Sequence, residues 1–227
     1  MWYYRSVHGH MRHNLERQLG SRSARVLDAG CGSGGLINRL KSAHAGWVFT
    51  GLDFSPLACN LARHRCAAEI VQGSVTELPF EAGSFDAIVS VDVLCQIDNP
   101  ATALAEFYRC LRPGGVVVVN VPAYQWMWSY HDEAVHSRHR FVRPEMRRLL
   151  VGAGFCVDRA TYWNTLPFPL AVLRRKIFRP RRPTSDVQTF PAPVETIFNG
   201  LMAVEHAWLG CGGSLPFGSS VLTVARK

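Results

Sequence analysis

Val26-Leu27-Asp28-Ala29-Gly30-Cys31-Gly32-Ser33-Gly34 is the most informative stretch of the chain. An apolar run over residues 25–29 ends in closely spaced glycines and gives way to Leu36-Ile37-Asn38-Arg39-Leu40, whose apolar spacing is helical. The turn therefore joins a parallel strand to a helix and marks a nucleotide-cofactor site. Gly30, Gly32 and Gly35 also fit the G-x-G-x-x-G pattern, in which bare backbone and a helix N-terminus approach an anionic pyrophosphate. Asp28 argues against that ligand, because a carboxylate at the strand end repels a diphosphate. It suits a cofactor that carries a sulfonium and an ammonium group.

S-adenosylmethionine is such a cofactor, and the segments that follow point the same way. Gly51-Leu52-Asp53-Phe54-Ser55 places an acid at the end of a second strand, where it can accept from both ribose hydroxyls. Phe85-Asp86-Ala87-Ile88-Val89-Ser90 and Leu111-Arg112-Pro113-Gly114-Gly115 supply a fourth strand and the turn into a fifth. With these landmarks in order over residues 25–122, the chain resembles the class I S-adenosylmethionine-dependent methyltransferases. The resemblance implies an α/β fold, a doubly wound, seven-stranded Rossmann-like sheet of order 3-2-1-4-5-7-6 with helical insertions forming a cap. It implies cofactor contacts from Asp28, Gly30, Cys31, Gly32, Gly34, Asp53, Phe54, Ser74, Val75, Ser90 and Asp92. Two positions depart from the commoner family pattern. Gly73-Ser74-Val75 stands where many relatives carry an acid for the adenine amino group, and Gln96 stands where many have His. Ser74 or the backbone at Ser74 and Val75 would then take the adenine.

The length suits one domain over residues 1–227. Within it, 1–24 reads as an N-terminal lid, 25–122 as the cofactor-binding core, and 123–142 and 163–217 as acceptor-side insertions. The seven cysteines are scattered and lack C-x-x-C spacing, which disfavours a disulfide framework and a zinc site. No opening apolar region resembles a signal peptide, and no stretch approaches the roughly 18 apolar residues of a membrane span. A cytoplasmic protein, monomeric or homodimeric, without a metal, is expected.

The richest polar cluster outside the cofactor motifs is Trp126-Met127-Trp128-Ser129-Tyr130-His131-Asp132, followed by His136, His139 and Arg140. It follows the fifth strand, where the family often grows an acceptor-binding lid. Methyl transfer is a direct displacement at an activated carbon, so the protein mainly positions the nucleophile and removes its proton where needed. His131 or His136, oriented by Asp132, are the candidate bases. The competing reading makes the same histidines helix caps or a polar hinge. Asp92 is a candidate for orienting the acceptor or holding the methionine ammonium, with a plain helix N-cap as its alternative. Tyr4 and Arg5, in the aromatic and basic start Trp2-Tyr3-Tyr4-Arg5, are candidates to close on the cofactor carboxylate or the acceptor. The alternative is an N-terminal helix packed on the sheet edge. The segment over residues 124–162, together with the ending Leu215-Pro216-Phe217-Gly218-Ser219-Ser220, also resembles a narrower group of bacterial methyltransferases.

The formal charge of +8 is uneven, with Arg174, Arg175, Lys176, Arg179, Arg181 and Arg182 crowded directly after an apolar segment at 163–173. An apolar stretch joined to a basic one suits a peripheral membrane contact, or an acceptor with a greasy chain and an anionic head. Nucleic acid competes for the same charges but finds no recognised RNA-binding motif. Methyl transfer to a hydrophobic or amphipathic small molecule is expected. The alternatives are an RNA methyltransferase and a non-catalytic cofactor-binding regulator.

Overall fold

A helix opens the chain, α1 over Trp2–Leu19. There follow β1 (Ala24–Ala29), α2 (Gly35–Lys41), β2 (Trp47–Asp53), α3 (Pro56–Arg65), β3 (Glu69–Gln72), β4 (Phe85–Val91), α4 (Pro100–Cys110) and β5 (Leu111–Pro122). The second half contributes α5 (Tyr130–Ala134), α6 (Arg143–Gly152), β6 (Cys156–Trp163), α7 (Phe168–Lys176), α8 (Ala192–Gly210) and β7 (Ser220–Arg226). The computed structural model describes residues 1–176 and 190–227. Arg179, Arg181 and Arg182 of the basic run lie outside the described residues.

The seven strands form one sheet of order β3-β2-β1-β4-β5-β7-β6, the order the sequence implies. β1 pairs in parallel with β2 and β4, and β7 runs antiparallel between β5 and β6. Side chains alternate across the sheet with period 2. Val26, Ala87 and Val116 join one core with residues of α1, α2, α3 and α8, while Leu27, Ile88 and Val117 join another with α4 and α6. Because both faces are covered, β1 and β4 are apolar almost throughout.

Local chemistry sets the element ends. Ser55 caps α3 by accepting from the Ala58 amide, with Pro56 at the first helical position. Gly30 sits at φ 90°, and a Cβ there would stand 2.1 Å from Cγ2 of Val93, so only glycine fits the turn after β1.

Two segments differ in detail from expectation. At the N-terminus, Trp2–Leu19 form α1, which lies on the sheet face beside α8 rather than at the sheet edge. Trp163, which was placed at the start of an insertion, ends β6 and is fully buried. Among the described residues, the rest of that insertion supplies α7 and α8. Among the described residues, no helix is long and apolar enough to cross a membrane.

Candidate active site

A cavity of about 860 Å³ opens where β1, β2 and β4 end. The first turn of α1 and the apolar faces of α7 and α8 enclose it. Ligands bind beyond the carboxyl ends of strands in such sheets, so the topology itself aims Asp28 and Asp53 into the space.

Asp28 is buried and lines the cavity, and its Oδ2 has no hydrogen-bond partner. Burial first, and the nearby Asp53 charge second, push its carboxyl up to about 7. A buried carboxylate oxygen without a partner is costly, and a cationic ligand group would offset that cost. Asp53 is tied to the glycine turn. Its Oδ2 accepts from the Gly32 amide at 2.8 Å and its Oδ1 from the Ser55 amide at 2.9 Å. The amides of Gly30 and Cys31 both donate to the Leu52 carbonyl. Asp53 therefore braces the turn while facing the cavity. An unpartnered acid and a second acid held at the cavity edge fit the ammonium and ribose of S-adenosylmethionine.

Asp92 stands at the centre of a network that the sequence did not reveal. Its Oδ2 accepts from the Tyr3 hydroxyl at 2.8 Å and its Oδ1 from Asn120 Nδ2 at 2.8 Å. Asn120 Oδ1 in turn accepts from Trp163 Nε1 at 2.6 Å. The Tyr3 ring stacks on Trp163, so α1, β4, β5 and β6 converge on one carboxylate. Burial pushes Asp92 up to about 6, partly offset by the hydrogen bonds from Tyr3 and Asn120. Its backbone is left-handed at φ 56°, which for a residue other than glycine requires firm support from its surroundings. Asp92 is thus a fixed wall of the cavity rather than a helix cap. Tyr3 and Asn120 belong to the site and were not singled out from the sequence. The signal for Asn120 was present, as one polar residue inside the valine-rich run of β5.

The other expected cofactor residues divide by position. Gly30, Cys31, Gly32 and Tyr4 line the cavity. Burial, then the Asp28 charge, pushes the Cys31 thiol far up, so it is a neutral spacer and not a nucleophile. Gly34 turns the chain into α2 at φ 76° and lies outside the lining, which Gly35 joins instead. Phe54 is 79% exposed and lies outside it too. The Ser74 hydroxyl is taken by Thr76 at 2.7 Å, Val75 is buried, and neither reaches the cavity. Ser90 is buried beneath the rim. Arg5 is exposed and lies outside the lining, and its carbonyl accepts from Arg39 Nη1. Arg65 lines the same end, donating to Ser33 Oγ at 2.7 Å, and carries a positive charge the sequence pattern had not marked.

On the acceptor side the histidine cluster separates. His131 lines the cavity. His136 turns the chain at φ 55° and is not part of the lining. Asp132 orients neither histidine. Its Oδ2 accepts from the Ser129 amide at 2.9 Å in a capping box, and its Oδ1 accepts from Arg140 Nη1 at 2.6 Å. Arg140 Nε donates to the carbonyls of Ala123 and Tyr124. This ion pair is buried, with side chains 2% and 1% exposed. Glu205 is buried and not part of the lining; it accepts from the amides of Asn164, Thr165 and Leu166, fixing the loop that leads into α7. Its neighbour His206 stacks on His10 of α1 at 3.7 Å.

A sheet of this order, with acids at the ends of β1 and β2 around a glycine turn, defines the class I methyltransferase architecture. Residues 27–119 match the family model described as "Methyltransferase domain". Over this core, rather less than half of the chain, the protein is similar to the class I S-adenosylmethionine-dependent methyltransferases. It is 33% identical over 138 residues to malonyl-[acyl-carrier protein] O-methyltransferase of Enterobacter lignolyticus, covering 58% of this chain and 54% of that protein. It is 32% identical over 144 residues to fatty-acid O-methyltransferase of Mycolicibacterium smegmatis, covering 62% and 47% respectively. The chain spans about half the length of these curated relatives. Its fold is similar to that of geranyl diphosphate methyltransferase, solved with S-adenosylmethionine, at a TM-score of 0.67 and 18% identity over 97% of this chain and 84% of that one. It is also similar to the putative methyltransferase in complex with the Haloferax volcanii Trm112 activator, at 0.66 and 21% over 98% and 90%.

Proposed function

We propose that the protein transfers a methyl group from S-adenosylmethionine to a hydrophobic or amphipathic small molecule. The observation that carries this reading is the continuity of the cavity. It runs from Asp28 and the glycine turn to an apolar wall of Pro167, Leu170, Ala171, Val194 and Phe198, and His131 of the first insertion joins the lining. A volume of about 860 Å³ lies in the upper part of the range for small-molecule sites and leaves room for an acceptor beside a cofactor. The relatives named for malonyl-carrier and fatty-acid methylation support an acceptor with an acyl character.

When bound, the cofactor supplies a methyl group activated by its positively charged sulfur. Asp28 would hold the ammonium, Asp53 the ribose hydroxyls, and the backbone of Gly30 and Gly32 would let the ligand approach closely. Asp92, held by Tyr3 and Asn120, would fix the wall beside the reacting atoms. His131 would take the acceptor proton, and the α7–α8 cover would exclude water. Exposed Trp126, Leu166, Leu170 and Leu173 lie along and beside α7, which ends in Arg174, Arg175 and Lys176. That pairing supports a peripheral contact with an anionic membrane, from which such an acceptor could enter.

The test is label transfer. The protein is incubated with methyl-labelled S-adenosylmethionine and a total bacterial lipid extract, and separately with transfer RNA. Label is expected in the organic-soluble fraction and not in the RNA. Label in RNA alone would replace this reading with the nucleic-acid one.

A further inference from the structure

Beside the glycine turn, the cavity lining draws on the first turns of α1, the start of α2 and the end of α3. Three groups meet there. Arg65 of α3 donates from Nη1 to Ser33 Oγ at 2.7 Å. A Cβ placed on Gly35 would stand 3.9 Å from that Nη1 and 3.6 Å from Cε1 of His8, so guanidinium, imidazole and bare backbone face one small space. Among the described residues, Arg65 is bonded to that hydroxyl and forms no ion pair. The other cations around α2 are placed elsewhere. Arg39 Nη1 donates to the Arg5 carbonyl and Lys41 Nζ to the Ala67 carbonyl, and none of Arg5, Arg39 and Lys41 lines the cavity. Burial, and then the Arg39 charge, lower the His8 pKa to about 4, so the imidazole is neutral near pH 7. Arg65 thus supplies the positive charge beside the glycine turn.

The nearby acids are Asp28 and Asp53. The Cys66 thiol, which lies against Gly34, feels charge of both signs. Burial first and then Asp28 raise its pKa, while Lys41 and Arg65 lower it, so Asp28 and Arg65 are close enough to act on one thiol. The amino-acid end of S-adenosylmethionine carries an ammonium and a carboxylate on the same carbon. With the ammonium on Asp28, the carboxylate is brought near two acids, and a cation is needed to offset their repulsion. A guanidinium suits that task, because its forked N–H donors match carboxylate oxygens. We infer that Arg65, held by Ser33, binds the carboxylate of the cofactor, so that Asp28 and Arg65 together select the complete zwitterion. This inference rests on the proposed assignment of Asp28 to the ammonium and extends it to the other charge of the same group.

Calorimetric titration near pH 7.5 compares S-adenosylhomocysteine with its decarboxylated counterpart, which keeps the amine and has hydrogen in place of the carboxylate. The unaltered protein is expected to bind S-adenosylhomocysteine about tenfold more tightly, the low end of the range for a hydrogen bond between charged groups because Arg65 is exposed. Arg65→Gln should abolish that preference by weakening S-adenosylhomocysteine alone, and Arg65→Lys should restore part of it. Arg39→Gln should leave both affinities unchanged, since Arg39 is not part of the lining. Binding of the amine reports that each variant is folded. Equal affinity of the two compounds for the unaltered protein overturns the inference and leaves the cofactor in place. A loss in Arg65→Gln shared equally by both compounds overturns it too, and assigns Arg65 to the support of the turn through Ser33. Binding of neither compound overturns the cofactor reading itself.

Discussion

Asp132→Ala is expected to lower the unfolding free energy by about 3–5 kcal/mol, the usual cost of removing one partner from a buried ion pair. The two side chains are nearly inaccessible and 2.6 Å apart, so solvent cannot replace the lost carboxylate. Arg140 would be left charged in the interior, close enough to Arg175 to feel its repulsion. The substitution also removes the acceptor that ties Ser129 into the start of α5. Urea denaturation of the two proteins measures the effect. The double variant Asp132→Ala with Arg140→Met should recover part of the loss, because a buried cation is then no longer stranded. A loss below about 1 kcal/mol in the single variant would show that water reaches the pair and that it does not brace the cavity.

His131→Ala is expected to reduce label transfer to the lipid fraction by about 100- to 10,000-fold, the range for a lost general base. S-adenosylhomocysteine should bind this variant almost as well as the unaltered protein. Of the two candidate bases, His131 lines the cavity and His136 does not, so His136→Ala should have a far smaller effect. Full transfer by His131→Ala would assign the histidine a structural role only. Equal losses in both variants, accompanied by a lower melting temperature, would point to collapse of the α5 segment instead.

The cofactor half was legible because its landmarks are local. A glycine turn after an apolar strand, an acid ending the next strand and a Pro-Gly-Gly turn each declare themselves within a few residues. The order of the seven strands, with β7 antiparallel between β5 and β6, follows from the family resemblance that these landmarks carry. α1 was harder for a physical reason. Its buried face includes Ser6, His10 and Asn14, so the usual apolar stripe is interrupted and the pattern does not decide between a lid and a packed helix. His10 is buried against His206, remote in sequence, while Asn14 donates to the His10 carbonyl within α1 itself. Asp92 shows the same limit, since neither Tyr3 nor Asn120 is near it along the chain. Asp132 was open to a better reading. Ser129-Tyr130-His131-Asp132 has the spacing of a helix-start box with an acid in the third position, and the structure uses it so. The function of Ser74 could not be judged from sequence, because its hydroxyl is taken by the nearby Thr76.

The central claim is that Asp28 and Asp53 face a cationic, ribose-bearing cofactor. The most direct test is a calorimetric titration of S-adenosylhomocysteine, with NAD in parallel, at several values between pH 6 and pH 8. Asp28 has its carboxyl raised to about 7 in the folded protein, above its unfolded value. Its ionisation therefore works against the empty fold as pH rises through this range, and a bound ammonium favours the ionised form. Affinity for S-adenosylhomocysteine should fall by up to about tenfold for each unit below pH 7 and level off above it, because binding then expels one proton. Asp28→Asn should weaken binding and flatten that dependence, Asp53→Ala should weaken it through the ribose and the turn, and NAD should not bind measurably. Tight binding of NAD, or a pH-independent affinity that Asp28→Asn leaves unchanged, would contradict the account.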